Sequence, residues 1–74
     1  MFYTYMIRCK DNSIYTGMSN NIDERFNKHL KGNGAKYTKS HIPDKLEAVW
    51  RCKDKSLACK LEYQLKQLTK NHNL

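Results

Sequence analysis

Residues 3–29, YTYMIRCKDNSIYTGMSNNIDERFNKH, decide the fold of this chain. Two β-prone segments flank residues 10–12, Lys-Asp-Asn, which are residue types that form tight turns and tolerate positive φ. Residues 19–21, Ser-Asn-Asn, then offer helix N-caps, and Asp23 and Glu24 follow where a first helical turn favours acidic groups. The stretch therefore predicts a β-hairpin that leads directly into an amphipathic helix.

The segments of this stretch have different periodicities. Residues 2–8 carry apolar mass on both alternating faces, which predicts a strand in the centre of its sheet, and residues 13–18 form the returning strand. The helix is predicted from about residue 21 to residue 31, where Gly32 ends it. Its expected buried stripe is Ile22, Phe26 and Leu30.

The rest of the chain adds one strand and one helix. Residues 35–41 are polar and basic and are predicted as a loop, with one short helical turn as the alternative, whereas residues 45–52 alternate as a third strand. Asp54 or Ser56 is expected to cap a last helix that runs to about residue 69. Its expected apolar stripe is Leu57, Leu61, Leu65 and Leu68. The order β-β-α-β-α predicts an α+β domain in which helices cover a three-stranded sheet.

Charge and length limit the class of protein. The 74 residues suffice for one small domain, and 14 basic against 7 acidic residues give a net charge of +7. Such an excess indicates a polyanionic partner, or else a surface charge that keeps the protein in solution.

Cysteine usage indicates a compartment. Cys9, Cys52 and Cys59 are odd in number and lack C-x-x-C spacing, which argues against a disulfide framework or a structural zinc site. No signal peptide or long apolar segment is evident. We therefore expect a soluble cytoplasmic protein without a membrane partner.

Three polar residues occupy the rims of the predicted helices. At about 100° per residue, Arg25 lies roughly 100° from the centre of the first stripe, and Glu62 lies roughly 90° from the centre of the second. His29 shares the flank of Arg25. Partly desolvated charges at such rims need a partner or a ligand. The alternatives are a surface arginine, a satisfied half-buried histidine and an i, i+4 ion pair between Glu62 and Lys66.

Tyrosines favour a shared site. Tyr3 and Tyr5 project from one face of the first strand, and Tyr15 and Gly17 share one face of the second. If these faces coincide, hydroxyl groups cluster beside a glycine that leaves room for a ligand or another backbone. The alternative is that the tyrosines only pack in the core.

The ordered blocks YMIR, YTG, RFNKH, GAKYT and LEYQLKQLTK resemble the GIY-YIG nuclease family, and the resemblance covers the whole chain. The sequence looks most like the small stand-alone bacterial members of UPF0213 type. It is also similar to the catalytic domain of a eukaryotic endonuclease subunit that cuts branched DNA. The resemblance implies a single GIY-YIG domain over residues 1–74, with a three-stranded antiparallel sheet flanked by helices.

Specific residues carry the resemblance, and three positions depart from it. The family's catalytic positions and its motif glycine fall on Tyr5, Tyr15, Gly17, Arg25, His29 and Glu62. Tyr3 and Thr4 stand where the first family triplet has glycine and isoleucine, and the Tyr3 side chain near the site means that the resemblance does not fix the cleft shape or the substrate range. Thr16 replaces the isoleucine on the face opposite Tyr15, where the change should be harmless.

The resemblance implies hydrolysis of phosphodiester bonds in nucleic acid, with DNA as the expected substrate. Glu62 would hold one Mg²⁺ or Mn²⁺ ion, and Arg25 would contact phosphoryl oxygens. Tyr15 would act as general base, with its pKa lowered by nearby cations, and Tyr5 would orient the water or share this role. His29 would bond a tyrosine or act as an acid. No organic cofactor is expected.

Other residues are candidates for binding the nucleic acid. Tyr37 would stack on a base. Lysines would contact the phosphates, namely Lys28, Lys31, Lys36, Lys39 and Lys70. Two further readings remain open: a module that binds nucleic acid without cutting it, and a catalytic piece that needs a recruiting partner protein.

Overall fold

A computed structural model describes residues 1–33 and 36–72, with side chains described up to Leu68. Within these residues the chain forms three strands and three helices. In chain order they are β1 (Phe2–Cys9), β2 (Ile14–Ser19), α1 (Ile22–Leu30), α2 (Lys36–Ser40), β3 (Pro43–Cys52) and α3 (Lys55–His72). Across the described residues, no helix is both long and apolar enough to cross a bilayer.

The sheet has the order β2-β1-β3, and both strand pairs are antiparallel. The predicted three-stranded antiparallel sheet is confirmed, and so is the central position of the first strand. A central strand is covered on both faces, which explains why β1 is apolar at successive positions. In the register, Tyr5 lies opposite Gly17 on one side and Val49 on the other.

The turn between β1 and β2 follows its sequence closely. Asn12 has a φ of 73°, a left-handed conformation that asparagine tolerates better than most residues. Asp11 Oδ1 accepts hydrogen bonds from the backbone N–H of Ser13, at 3.0 Å, and from its hydroxyl. These local bonds close the hairpin, as the predicted turn requires.

Helix α1 begins as predicted but faces the core differently. Asn21 caps it, because its side chain accepts a hydrogen bond from the Glu24 N–H at 3.2 Å. The inward residues are Ile22, Arg25, Phe26 and His29, whereas Leu30 is 50% exposed. The prediction that Leu30 is buried is therefore wrong. The helix is rotated so that His29 takes the inward position instead.

Helix α2 was expected to be a loop. Its few residues show no apolar periodicity, and a helix this short has little stability of its own in water. Burial of Thr38 and partial burial of Tyr37 against the core stabilise it instead. The short helix brings both side chains toward α1 and β2.

Helix α3 packs through a face that includes Glu62. Asp54 is the cap, since its carboxylate accepts a hydrogen bond from the Leu57 N–H at 3.0 Å. The inward residues are Ala58, Leu61, Glu62 and Leu65. Two members of the predicted stripe lie outside, Leu57 at 48% and Leu68 at 56% exposure. The Thr4 hydroxyl of β1 donates to the Ala58 carbonyl at 2.8 Å and fastens α3 to the central strand.

The core lies on the face of β1 that carries Tyr5, Ile7 and Cys9. Side chains from β2, α1, α2 and β3 pack against these three, namely Tyr15, Ile22, Phe26, Tyr37 and Leu46. A tyrosine at the centre of so small a core must place its hydroxyl beside a polar partner.

Candidate active site

Gly17 lies directly beneath the tyrosine rings. A Cβ at this position would lie 2.7 Å from the Tyr5 hydroxyl oxygen and 2.9 Å from Cε2 of Tyr15. Contacts this short are repulsive, so only glycine fits here. The sequence suggested that Gly17 keeps space for a ligand. The structure shows that the two tyrosines themselves fill this space.

Tyr5, Tyr15 and His29 form one cluster of rings. The ring centroids of Tyr5 and Tyr15 are 6.3 Å apart, and those of Tyr15 and His29 are 5.1 Å apart. The tyrosine-bearing faces of β1 and β2 therefore coincide. Tyr3 belongs to the same face of β1 but lines a separate groove of about 380 Å³, together with Val49 and residues 20–23.

A buried hydrogen-bond chain runs through this cluster. The Tyr5 hydroxyl lies 3.0 Å from Nε2 of His29, and Nδ1 of His29 lies 2.8 Å from the Thr38 hydroxyl. All three residues are 2% exposed or less. Burial, and then the charge of Arg25, lower the pKa of His29 below its ordinary 6.5, so the imidazole is neutral at pH 7.

Arg25 brings an unpaired donor to the same place. Its Nε is buried and has no hydrogen-bond partner within the described part of the chain. Its positive charge acts on the pKa values of Tyr5, Tyr15 and His29, so the guanidinium lies near all three. A buried donor without an acceptor is costly, which makes this position suited to an anionic ligand.

The tyrosine hydroxyls are held in their protonated form. Burial raises the pKa of Tyr5, and hydrogen bonding from Arg25 opposes this effect without cancelling it. Burial likewise raises the pKa of Tyr15 against the opposing charges of Lys66 and Arg25. The sequence led us to expect lowered values. Arg25 is present and Lys66 adds to its effect on Tyr15, but the loss of hydration outweighs both charges.

Glu62 reaches the cluster from α3. After burial, its negative charge adds to the raised pKa values of Tyr5 and Tyr15, so the carboxylate lies within electrostatic range of both tyrosines. The side chain is 19% exposed, and Oε2 lies 3.4 Å from Nζ of Lys66. The ion pair that was the alternative to a site residue therefore exists. Glu62 forms this ion pair with Lys66 and also lies within electrostatic range of the two tyrosines.

The acidic side chains of the described residues suit only a metal site that has a single protein carboxylate. Within residues 1–33 and 36–68, no group of three or more His, Cys, Asp or Glu side chains is arranged to hold a metal ion. A closed structural site is thus absent from this part of the chain. A lone, partly buried carboxylate matches the way Mg²⁺ is often bound, with water and substrate phosphates completing the shell. Glu62 is the residue that could hold such an ion.

The lysines expected to contact phosphates lie on α1 and α2 or follow α1. Lys28, Lys31, Lys36 and Lys39 are all exposed, and Lys28 forms a loose ion pair with Glu24 at 3.9 Å. The side chain of Lys70 lies outside the described residues.

Tyr37 is half-buried within the ring cluster. It stacks on His41 at 4.1 Å and contacts Tyr15 at 5.8 Å, so the face against His41 is already covered.

Sequence reasoning missed two residues that organise the site. Thr38 is the hydrogen-bond partner of His29, and nothing in the polar segment around it signals that role. His41 pairs with Asp11, joining the end of α2 to the β1–β2 turn. Hydrogen bonds from Ser13, and then from His41, hold the pKa of Asp11 well below its ordinary range.

Comparison with known proteins places this arrangement in context. The chain matches the sequence model of the GIY-YIG catalytic domain over residues 1–74. UPF0213 protein FN1575 of Fusobacterium nucleatum is 48% identical over 69 residues, which cover 93% of this chain and 69% of that protein. UPF0213 protein CPE1444 of Clostridium perfringens is 43% identical over 74 residues, covering 100% of this chain and 80% of that protein.

A solved structure is similar as well. The solution NMR structure of UPF0213 protein BH0048 from Bacillus halodurans aligns with a TM-score of 0.55 and 43% identity. The alignment covers 90% of this chain and 72% of that one.

Proposed function

The chain belongs to the GIY-YIG family, and we propose that it is an endonuclease that hydrolyses DNA phosphodiester bonds with the help of one Mg²⁺ or Mn²⁺ ion. The observation that carries this proposal is the unpaired buried Nε of Arg25 beside Tyr5, Tyr15 and Glu62. An anion acceptor, two hydroxyls and a carboxylate in one place match the needs of phosphoryl transfer. Branched, flap and single-stranded DNA in repair or processing are the substrates we propose.

Arg25 binds the phosphate in this mechanism. Its planar guanidinium donates to two oxygens at once, which fixes the orientation of the phosphoryl group and stabilises its growing charge. No group in the described part of the chain accepts a hydrogen bond from Nε of Arg25, so this donor gains an acceptor only when substrate binds.

Tyr5, His29 and Thr38 form the support behind the reacting groups. Because the Arg25 charge acts on the Tyr5 oxygen and Nε2 of His29 lies 3.0 Å away, the Tyr5 proton is directed toward His29. A neutral imidazole that accepts at Nε2 carries its proton at Nδ1, which then donates to the Thr38 hydroxyl. This assignment leaves His29 able to accept a proton from Tyr5.

Tyr15 faces the attacking water in this proposal. It is more exposed than Tyr5, and Lys66 and Arg25 both favour its ionised form. When bound, a divalent ion held by Glu62 would supply Lewis-acid chemistry and further lower the pKa values of nearby groups. The exposed lysines would hold the DNA backbone, and the three free cysteines of the described chain suit a reducing cytoplasm.

The decisive experiment compares two variants of one ion pair. Glu62→Gln keeps the volume and removes the negative charge, whereas Lys66→Gln breaks the same pair and keeps the carboxylate. We expect Glu62→Gln to fold, to bind DNA at least as tightly as wild type, and to cut nothing in Mg²⁺ or Mn²⁺. Lys66→Gln should still cut. Cleavage of plasmid and branched DNA, with an EDTA control, measures both.

The outcomes distinguish a nuclease site from the alternative functions. Equal cleavage by both variants would reduce Glu62 to a surface ion pair worth a few tenths of a kcal/mol. Binding without cleavage by wild type, with either metal, would support a non-catalytic module or a piece that needs a recruiting partner protein.

A further inference from the structure

The outer side of α3 carries a second groove, separate from the tyrosine cluster. Its volume is about 620 Å³, and it is lined by Lys55, Ser56, Cys59, Lys60 and Tyr63. Four of these residues follow the spacing i, i+3, i+4, i+7, so they form one continuous face of the helix. Neither the ring cluster nor the hydrogen-bond chain uses this face.

The chemistry of this groove is unusual for a helix surface. Tyr63 is 67% exposed, although a large aromatic side chain is normally mostly buried. Lys55 and Lys60 both precede it in α3 and line the same groove. An exposed ring beside cations suits single-stranded nucleic acid, since bases stack on the ring while lysines neutralise phosphates.

The groove also adjoins the candidate active site. Tyr63 follows Glu62 directly, so at about 100° per residue the groove begins at the solvent edge of the face that carries the carboxylate. Lys66 bonds Glu62 and lies on the same edge. A strand that reached Glu62 would continue along this side of α3 without leaving the protein surface.

We propose that this groove binds a single-stranded segment of the nucleic acid, with a base stacked on Tyr63 and phosphates on Lys55 and Lys60. The proposal rests on the proposed function in one respect, that nucleic acid is the substrate. It adds the surface that holds the unpaired strand beside the cleavage site.

Cys59 makes the proposal testable without cleavage. It is exposed in the groove, whereas Cys9 and Cys52 are buried. In EDTA, the rate of maleimide labelling of Cys59 is measured by mass spectrometry with and without an oligothymidylate of about 12 nucleotides. We expect saturating oligonucleotide to slow labelling about tenfold or more, and a fully paired duplex to protect far less.

Matched variants test the two parts of the contact. Tyr63→Ala should weaken oligonucleotide binding about tenfold, whereas Tyr63→Phe should bind as wild type because it keeps the ring. Lys60→Ala should weaken binding more than Lys45→Ala, which removes the same charge from an exposed site on β3. Fluorescence anisotropy measures all four affinities.

The results that overturn the proposal differ from those that overturn the nuclease assignment. Three results would each refute binding of a single strand in the groove. They are unchanged Cys59 labelling under saturating oligonucleotide, equal affinities of Tyr63→Ala and Tyr63→Phe, and equal protection of Cys59 by an acidic peptide. Protection of Cys59 without any DNA cleavage would support strand binding in the groove and refute a nuclease that acts without a partner protein. Cleavage without protection would do the reverse.

Discussion

Arg25 holds a donor that the folded chain leaves unsatisfied, and this defines what the site should bind. Leaving a buried N–H without an acceptor costs about 1–3 kcal/mol, so an incoming oxyanion gains that interaction on binding. The burial of Nε also distinguishes Arg25 from the exposed lysines nearby, which keep their hydration.

Arg25→Lys should therefore not behave as a conservative change. Lysine keeps the charge but lacks the planar fork and the Nε donor, so we expect cleavage to fall by about 10²-fold or more. Stability should hardly change. Single-turnover cleavage and thermal unfolding of the same preparation provide the check, and cleavage near the wild-type rate would make Arg25 an ordinary cation.

Tyr5→Phe and Tyr15→Phe should separate two roles. Tyr5→Phe removes the buried hydrogen bond between the Tyr5 hydroxyl and Nε2 of His29 and should cost about 1–3 kcal/mol of stability as well as activity. Tyr15→Phe should leave stability nearly unchanged yet impair cleavage more severely. Urea unfolding measures the first effect and cleavage rates the second. Full activity in both variants would remove the tyrosines from the mechanism.

At the level of elements, both long helices turn a polar residue inward. The apolar patterns predicted where α1 and α3 lie in the chain, but not which residues face the core. Leu30 and Leu57 lie in solvent, while His29 and Glu62 take inward positions. Periodicity indicates an apolar direction only to within about one residue, or 100°. An error of this size is enough to assign a leucine to the core at a place where the structure has a site residue.

Helix α2 shows a second limit of sequence reasoning. Its residues show no hydrophobic periodicity. Contacts with the rest of the molecule stabilise it, through Tyr37, Thr38 and the pair of His41 with Asp11. The partner of His29 was therefore unpredictable, although His29 itself was identified by resemblance.

Helix α3 is held in place by Thr4, which gives a prediction for that element. Thr4→Val removes the hydrogen bond to the Ala58 carbonyl while keeping the shape of the side chain. We expect a loss of about 1 kcal/mol of stability and slower cleavage, because α3 positions Glu62. Thr4→Ser, which keeps the hydroxyl, is the control. Unchanged cleavage in a destabilised Thr4→Val protein would show that this bond does not position Glu62.

For the whole molecule, a buried neutral histidine makes stability depend on pH. His29 has a lowered pKa when folded, so unfolded chains bind a proton at a pH where folded chains do not. Its contribution is complete above the ordinary pKa of 6.5 and is lost as pH falls from there toward the folded value. We expect the free energy of unfolding to decrease from pH 7 to pH 5.

Urea unfolding at several pH values measures this decrease, and His29→Gln serves as the reference. The variant should be less stable at pH 7, and its stability should vary less across the same window. Parallel pH dependence in the two proteins would show that other groups cause the slope.

The contact beneath Gly17 also limits how this chain can evolve. Every other amino acid carries a Cβ, so any missense mutation of this codon meets the Tyr5 hydroxyl at once. Loss of the Tyr5 hydroxyl alone does not make room, because Cζ of Tyr5 and Cε2 of Tyr15 each lie 2.9 Å from the position of that Cβ. A substitution at position 17 therefore requires changes at both tyrosines, and a change at Tyr5 abandons the bond to His29. Each path thus passes through an impaired intermediate, and we expect positions 5, 15 and 17 to change together or to stay as they are.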